Sequence, residues 1–315
     1  MRKKTLILGA AGFIGTNLSL KLLNENKSLI LFDREDASYQ PDIRQEGTDV
    51  VCWGGSFESY DWKEKEDELR EVSEAYHLIS TTCPTNTNQN VALEMEQNLI
   101  ATIRFLDICV RAEVPKVIFL SSGGTVYGKE HTGICREEEE AFPITVYGVQ
   151  KLGIEKMLYL YHDMYGLDYR IIRLANPYGP YQRPNGVQGA VSTFTWRAMH
   201  GMPIEVYGDG SVVRDYIYIE DAIEGILRIA ESDGKHRLYN LGSGRGTSLL
   251  EVIKTIGMVL GFDPQVCFCP GRPVDVPVNV LDISRFRTDI GEFTPMELGE
   301  GVSRLTAFYR QRETV

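Results

Sequence analysis

Three glycines, in the run Gly9-Ala-Ala-Gly12-Phe-Ile-Gly15, fall between an apolar run at 5–8 and an amphipathic stretch at 13–24. No other feature of the chain constrains its fold as much. Gly9 allows a tight turn out of a strand. Gly12 lets the backbone approach a pyrophosphate with no Cβ in the way, and Gly15 lets helix and strand pack closely. Phe13 and Ile14 open the helix, whose leading N–H groups and partial positive charge face the phosphates. An acid, Asp33, closes the second apolar run, where it can accept from the hydroxyls of an adenosine ribose. Asp33 favours NAD over NADP, because a 2′-phosphate would meet its charge; Arg34 beside it leaves NADP open.

The rest of the first half repeats that alternation. Runs at 5–8, 29–32, 49–52, 75–79, 116–120 and 169–174 predict strands, and 13–24, 91–111 and 147–165 predict helices. Near-continuous apolar strands between helices indicate a parallel sheet covered on both faces. The expected fold class is therefore α/β: a Rossmann-type doubly wound parallel sheet with a smaller α/β substrate-binding lobe. The stretch 61–72 reads as a mixed-charge helix with a solvated face, and the four acids at 137–140 as a solvated loop. After 174, Pro and Gly cluster, and shorter elements follow at 190–200, 215–219, 220–231 and 249–261. The expected division is 1–175 for dinucleotide binding and 176–315 for substrate, with part of 212–232 returning to the first domain.

Composition excludes several classes. With 44 acidic and 33 basic residues the net charge is −11, so no general nucleic-acid binding is expected, since phosphate neutralisation needs a basic surface. No apolar stretch approaches the roughly 18 residues of a membrane span, and no secretory peptide is expected. Six cysteines are scattered, and Cys267-Phe-Cys269 is the one close pair. Without a second pair or nearby histidines no metal site is expected, and a reducing cytoplasm is the natural compartment.

Tyr147 and Lys151 are one helical turn apart. An ammonium near a phenol favours the phenolate and makes the tyrosine a usable acid/base near neutral pH. The strand before them ends in Ser121-Ser122-Gly123-Gly124-Thr125-Val126-Tyr127-Gly128. With the glycine run, these motifs resemble the extended short-chain dehydrogenase/reductases, in their nucleotide-sugar epimerase/dehydratase branch. Within it the chain is most similar to the UDP-hexose 4-epimerases of bacterial surface-polysaccharide synthesis.

The resemblance implies NAD as cofactor and a nucleotide sugar as substrate. C4 would be epimerised through a 4-keto intermediate, with Tyr147 and Lys151 catalytic. Arg173-Leu-Ala-Asn176-Pro-Tyr-Gly-Pro180 is similar to the family's loop into the sugar pocket. Gly208-Asp-Gly-Ser-Val-Val-Arg214 and Arg272-Pro-Val-Asp275 are similar to its two diphosphate-binding segments, which implicates Arg214 and Arg272. Tyr207 matches the ring over the nucleobase. Asn98 and Asn176 match positions that line the sugar site or brace the active-site helix. Asn279 matches the far wall of the hexose pocket, where a small residue is expected to admit a C2 acetamido group; its other reading is a turn residue in a Pro-rich loop. A homodimer is implied through a bundle of 91–111 and 147–165.

One position departs from the pattern. A Ser or Thr usually stands where this chain has Gly123; Thr125, which shares its alternation parity, is the first substitute and Ser122 the second. Three rival activities remain. A 4,6-dehydratase would need Asp and Glu where Gly124 and Thr125 stand. The others are an NADP-dependent sugar-nucleotide reductase and a non-catalytic dinucleotide-binding protein. The nucleotide, the hexose and its C2 substituent stay open.

Overall fold

The computed structural model describes residues 3–44, 47–83, 87–129, 133–184, 189–271 and 276–313. Along the chain come β1 (Lys4–Leu8), α1 (Phe13–Asn24), β2 (Leu29–Asp33), β3 (Val50–Gly54), α2 (Glu66–Leu69), β4 (Val72–His77), α3 (Val91–Met95), α4 (Ala101–Arg111) and β5 (Lys116–Ser122). Next are β6 (Gly133–Cys135), α5 (Val146–Tyr165), β7 (Asp168–Leu174), β8 (Asn176–Tyr178), α6 (Ala190–Met199), β9 (Ile204–Tyr207), β10 (Val213–Tyr218), α7 (Ile219–Glu231) and β11 (Leu238–Leu241). The chain closes with β12 (Gly246–Ser248), α8 (Leu249–Leu260), β13 (Val266–Cys269), β14 (Val278–Leu281), α9 (Ser284–Asp289) and α10 (Leu298–Glu313).

Seven strands form the main sheet in the order β11-β7-β5-β4-β1-β2-β3. The β1–β2, β1–β4, β2–β3 and β4–β5 ladders are parallel. Leu6, Ile7 and Leu8 of β1 and Ile30, Leu31 and Phe32 of β2 are all buried. Their unbroken apolar runs follow from having both faces of the sheet covered. The chain first builds outward from β1 to β3 and then restarts on the other side at β4, so the switch point lies between β1 and β4. This is the doubly wound fold that the strand–helix alternation predicts.

Three predicted elements differ. The stretch 91–111 is one helical path interrupted by a π-helical segment, Glu96–Ile100, between α3 and α4. The expected helix over 61–72 reduces to a 3₁₀ turn, Trp62–Lys65, followed by α2. Trp62 is buried against Phe32 and Phe105, so one side of this segment belongs to the core rather than to solvent. The acidic run is not wholly solvated either. Glu137 is buried, accepts the Asn240 N–H at 2.9 Å and lies 3.9 Å from Arg285.

The chain divides into two units, 1–126 with 145–172 and 235–238, and 127–144 with 173–234 and 239–315. The expected border at 175 lies near the break at 172. Residues 127–144, however, join the second unit because β6 pairs with β14, and 212–232 stays in the second unit rather than returning to the first. The core of the first unit centres on Leu6, Leu8, Phe32, Phe105, Phe119 and Ile154. That of the second centres on Tyr178, Val191, Val206, Val252, Ile256 and Leu305. In the second unit β10 pairs with β8, β12 and β14, and β9 pairs with β13 in a separate ladder.

Candidate active site

Parallel strands put their carboxyl ends on one edge of the sheet, where ligands of such folds bind. Gly9 follows β1, Asp33 ends β2, the loop 78–83 follows β4, and Ser122 ends β5. Gly9 has φ +84°, and a Cβ there would stand 3.2 Å from the Ile79 amide nitrogen. At Gly15 a Cβ would lie 2.2 Å from the Gly9 carbonyl oxygen, so no larger residue fits without moving the loop. Gly12 caps α1 with no side-chain hydrogen bond, and the first turn holds no acid. The leading donors of α1, at Phe13 and Ile14, therefore lack intrahelical partners, the condition under which a helix start suits an anion. Asp33 accepts from the Ala11 N–H at 2.8 Å and from the Arg34 N–H at 2.9 Å. One carboxylate thus ties the glycine loop to the end of β2. Arg34 is mostly exposed and lies 3.8 Å from Asp36. These residues fit a dinucleotide.

Tyr147 and Lys151 sit in the first two turns of α5, against the end of β5. The Lys151 ammonium donates to the Leu120 carbonyl at 2.8 Å, 4.7 Å above the Phe119 ring and 5.8 Å from the Tyr147 ring centre. Burial pushes the Tyr147 phenol up to about 12, and a hydrogen bond from the Ser122 hydroxyl pulls the other way. Burial also draws Lys151 down to about 7, with Glu155 pushing back. The sequence leads one to expect Lys151 to bring Tyr147 toward neutral pH; in this structure the group opposing burial at the phenol is Ser122. The ranking of hydroxyls changes as well. Ser122 reaches the phenol, whereas Thr125 Oγ1 is buried with no hydrogen-bond partner among the described residues.

The start of α5 is held by residues that sequence reasoning passed over. Asn88 Oδ1 accepts from the Val146 N–H at 2.8 Å, Thr87 Oγ1 from the Tyr147 N–H at 3.0 Å, and the cap Thr145 from the Gly148 N–H at 3.1 Å. Thr87 in turn donates to Glu94 of α3, which also accepts from the N–H groups of Asn88, Gln89 and Asn90. These bonds, Thr87 first, hold the Glu94 carboxyl below its ordinary range. Asn98, in the π-helical segment, gives both amide hydrogens to Thr81 Oγ1 and the Glu94 carbonyl, and its oxygen accepts the Thr81 N–H. With both hydrogens committed to the protein, Asn98 braces the loop after β4 and offers no donor to a substrate.

The second-unit candidates lie on neighbouring strands. Asn176 of β8 donates to the Asp215 carbonyl at 2.9 Å. Arg214 of β10 is in register with Asn279 of β14 and donates to the Val213 and Val276 carbonyls at 2.9 and 2.6 Å. Asn279 is buried inside a strand, with its amide 3.8 Å from Cys135 Sγ, so it is not a turn residue. Tyr207 ends β9, half-buried, beside Cys269 of β13. Arg272 lies outside the described residues. Beneath this strand group the buried Asp215 carboxylate accepts from Ser243 N–H and Oγ, the Gly244 N–H and the Leu281 N–H, which locks β10 to β14 and the 243–244 turn. Among the described residues no His, Cys, Asp and Glu cluster as metal ligands, and no helix is long and apolar enough to cross a membrane.

Known proteins are similar to this chain along nearly its whole length. UDP-glucose 4-epimerase of Mycolicibacterium smegmatis is 28% identical over 315 residues, covering 98% of this chain and 99% of its own. dTDP-4-dehydro-6-deoxyglucose reductase of Escherichia coli is 30% identical over 309 residues, covering 95% of each chain. The crystal structure of UDP-glucose 4-epimerase from Thermotoga maritima with UDP-glucose superposes with a TM-score of 0.90 at 29% identity, over 98% of this chain and 99% of that one. The family profile matches residues 5–242, which span the glycine cradle, the Tyr147/Lys151 face and the strands of Asn176 and Arg214. On that match the chain belongs to the NAD-dependent epimerase/dehydratase family.

Proposed function

We propose that this enzyme inverts C4 of a nucleotide-linked hexose, UDP-glucose/galactose or their N-acetyl forms. The observation that carries the reading is the Ser122–Tyr147–Lys151 arrangement at the end of β5, with Gly124 and Thr125 where elimination of water would require two carboxylates. Gly9, Gly12 and Gly15, with the N–H groups of Phe13 and Ile14, hold the dinucleotide phosphates, and Asp33 the adenosine ribose. NAD, when bound, would supply the acceptor for hydride from C4 and its return. Tyr147 accepts the proton of the sugar 4-hydroxyl and later gives it back. The Ser122 hydroxyl steadies the phenolate oxygen while it is charged. Lys151 orients the nicotinamide ribose. Arg214, Asn176 and Tyr207, with Arg272, are assigned to the diphosphate, sugar and base of the substrate. A fixed diphosphate lets the 4-ketose turn over while the nucleotide stays bound.

The test is incubation with UDP-glucose, UDP-galactose and their N-acetyl counterparts with no cofactor added, products read by NMR. Epimer formation is expected, and Tyr147→Phe should lower kcat by about 10²–10⁴ while NAD retention stays near the parent's. Activity of the variant within a few-fold of the parent would remove Tyr147 from the reaction. The panel also decides the C2 question. It does so better than Asn279→Tyr, which would force a ring into a buried strand position and strain the fold.

A second reading, reduction of a 4-keto nucleotide sugar, is favoured by the Escherichia coli reductase relative. It predicts stoichiometric loss of added NADH or NADPH absorbance with a dTDP-4-keto-6-deoxyhexose and no interconversion of the UDP-hexoses.

A further inference from the structure

Tyr147, Lys151 and Glu155 fall at successive turns of α5 and so share one face. Three consecutive residues of β5 receive them. The Leu120 carbonyl accepts from Lys151, the Ser121 hydroxyl donates to Glu155 at 2.5 Å, and the Ser122 hydroxyl bonds Tyr147. Lys151 and Glu155 are 5% and 4% exposed. A buried ammonium whose bonded acceptor is a neutral carbonyl lacks a counter-charge, and Glu155 is the carboxylate one turn away. We infer that Glu155, held by Ser121, is a positioning residue that keeps Lys151 charged and in place. This rests on reading Tyr147 and Lys151 as the reacting pair.

Among the described residues, the other groups facing Lys151 supply no negative charge. Tyr147 on its own helix is a neutral phenol. His77 of β4 is buried and neutral, and Phe119 of β5 offers a ring face. Cys83, after β4, bears on Tyr147. The direction of each influence agrees: burial lowers Lys151 and Glu155 raises it.

The test reads the Lys151 titration midpoint from its ¹³Cε shift in the purified protein, assigned by its loss in Lys151→Met. In Glu155→Gln the midpoint is expected to fall by about one unit or more, the effect of losing a nearby opposite charge. The alkaline limb of kcat/KM should move down with it. Glu155→Asp should keep most of the midpoint, and Ser121→Ala should give a smaller fall in the same direction. An unmoved midpoint in folded Glu155→Gln overturns the inference; if that variant does not fold, an unmoved midpoint in Ser121→Ala does so. The midpoint needs no substrate. A fall in a protein that interconverts no nucleotide sugar would therefore leave Glu155's role standing and sink the epimerase reading instead.

Discussion

Ser122 and Thr125 offer two hydroxyls for one task; alternation parity points to Thr125, and the bond to the phenol to Ser122. Parity holds within a strand, but β5 ends at Ser122, and the turn that follows, closed by the Val126 N–H on the Ser122 carbonyl, resets the directions. Ser122→Ala is therefore expected to lower kcat by about ten- to a hundredfold, the loss of one hydrogen bond to a charged group. Thr125→Val should change it little, and the opposite ranking in steady-state kinetics would return the role to Thr125. His77 is a second residue whose state follows from its partners. The Thr102 hydroxyl donates to the Asn98 carbonyl, so His77 Nε2 must donate to Thr102, which leaves Nδ1 bare in an apolar, ring-lined site. Burial, and then Lys151, lower His77 from 6.5 to about 3. Between those values the unfolded chain holds the extra proton. This contribution to stability is thus full above about pH 6.5 and is lost as pH falls toward 3, at ~1.4 kcal/mol per unit. Urea melts from pH 8 to 4 should show that slope in the parent and not in His77→Leu; parallel slopes would refute it.

The elements that carry the site are joined by bonds with no local signature. The Thr87–Glu94 link spans seven positions and the Thr87–Tyr147 link sixty. Thr87 lies in the loop before α3, outside any helix or strand, so no periodicity joins it to either partner and neither link was legible. Glu155 was legible in spacing, as the third member of an i, i+4, i+8 row. It was not legible in meaning, because its partner Ser121 lies on another element. The glycine cradle and Asp33, by contrast, are contiguous with the elements they serve and were read directly. Glu137 shows the reverse failure: four acids in a row look solvated, yet one is claimed by Asn240, a hundred positions on. From the network at α5 follows an expectation for Glu94→Gln. Thr87 and the 88–90 N–H groups lose a charged acceptor, which should cost about 1–2 kcal/mol of stability. The loosened α5 start should lower kcat more than it raises KM. Urea melts with kinetics on the same samples test this, and an unchanged kcat would confine Glu94 to the loop.

At the scale of the whole molecule the open matter is what covers the outer side of α5. Turning at about 100° per residue, Val149, Leu160 and Met164 lie on the side of the helix away from Tyr147, Lys151 and Glu155. All three are exposed, at 42%, 40% and 55%. On the adjoining helical path Val91, Leu93 and Ile100 are exposed as well, and α4 packs against α5. Apolar side chains gathered on neighbouring helices mark an interaction surface more often than chance exposure does. A second copy is the occupant we propose, because a two-fold axis lets one such patch cover its own duplicate without a further partner. It would also explain why the helix that carries the reacting pair presents exposed apolar residues on its outer side. Light scattering on the eluting protein is expected to give twice 35.5 kDa. Leu160→Glu with Met164→Glu should shift it to the monomer, since four charges would then face one another across the axis. Both positions are exposed in the single chain, so the double variant should fold and keep its NAD. A parent that elutes as a monomer at micromolar concentration, or a double variant that stays dimeric, would show that this face is not the subunit contact.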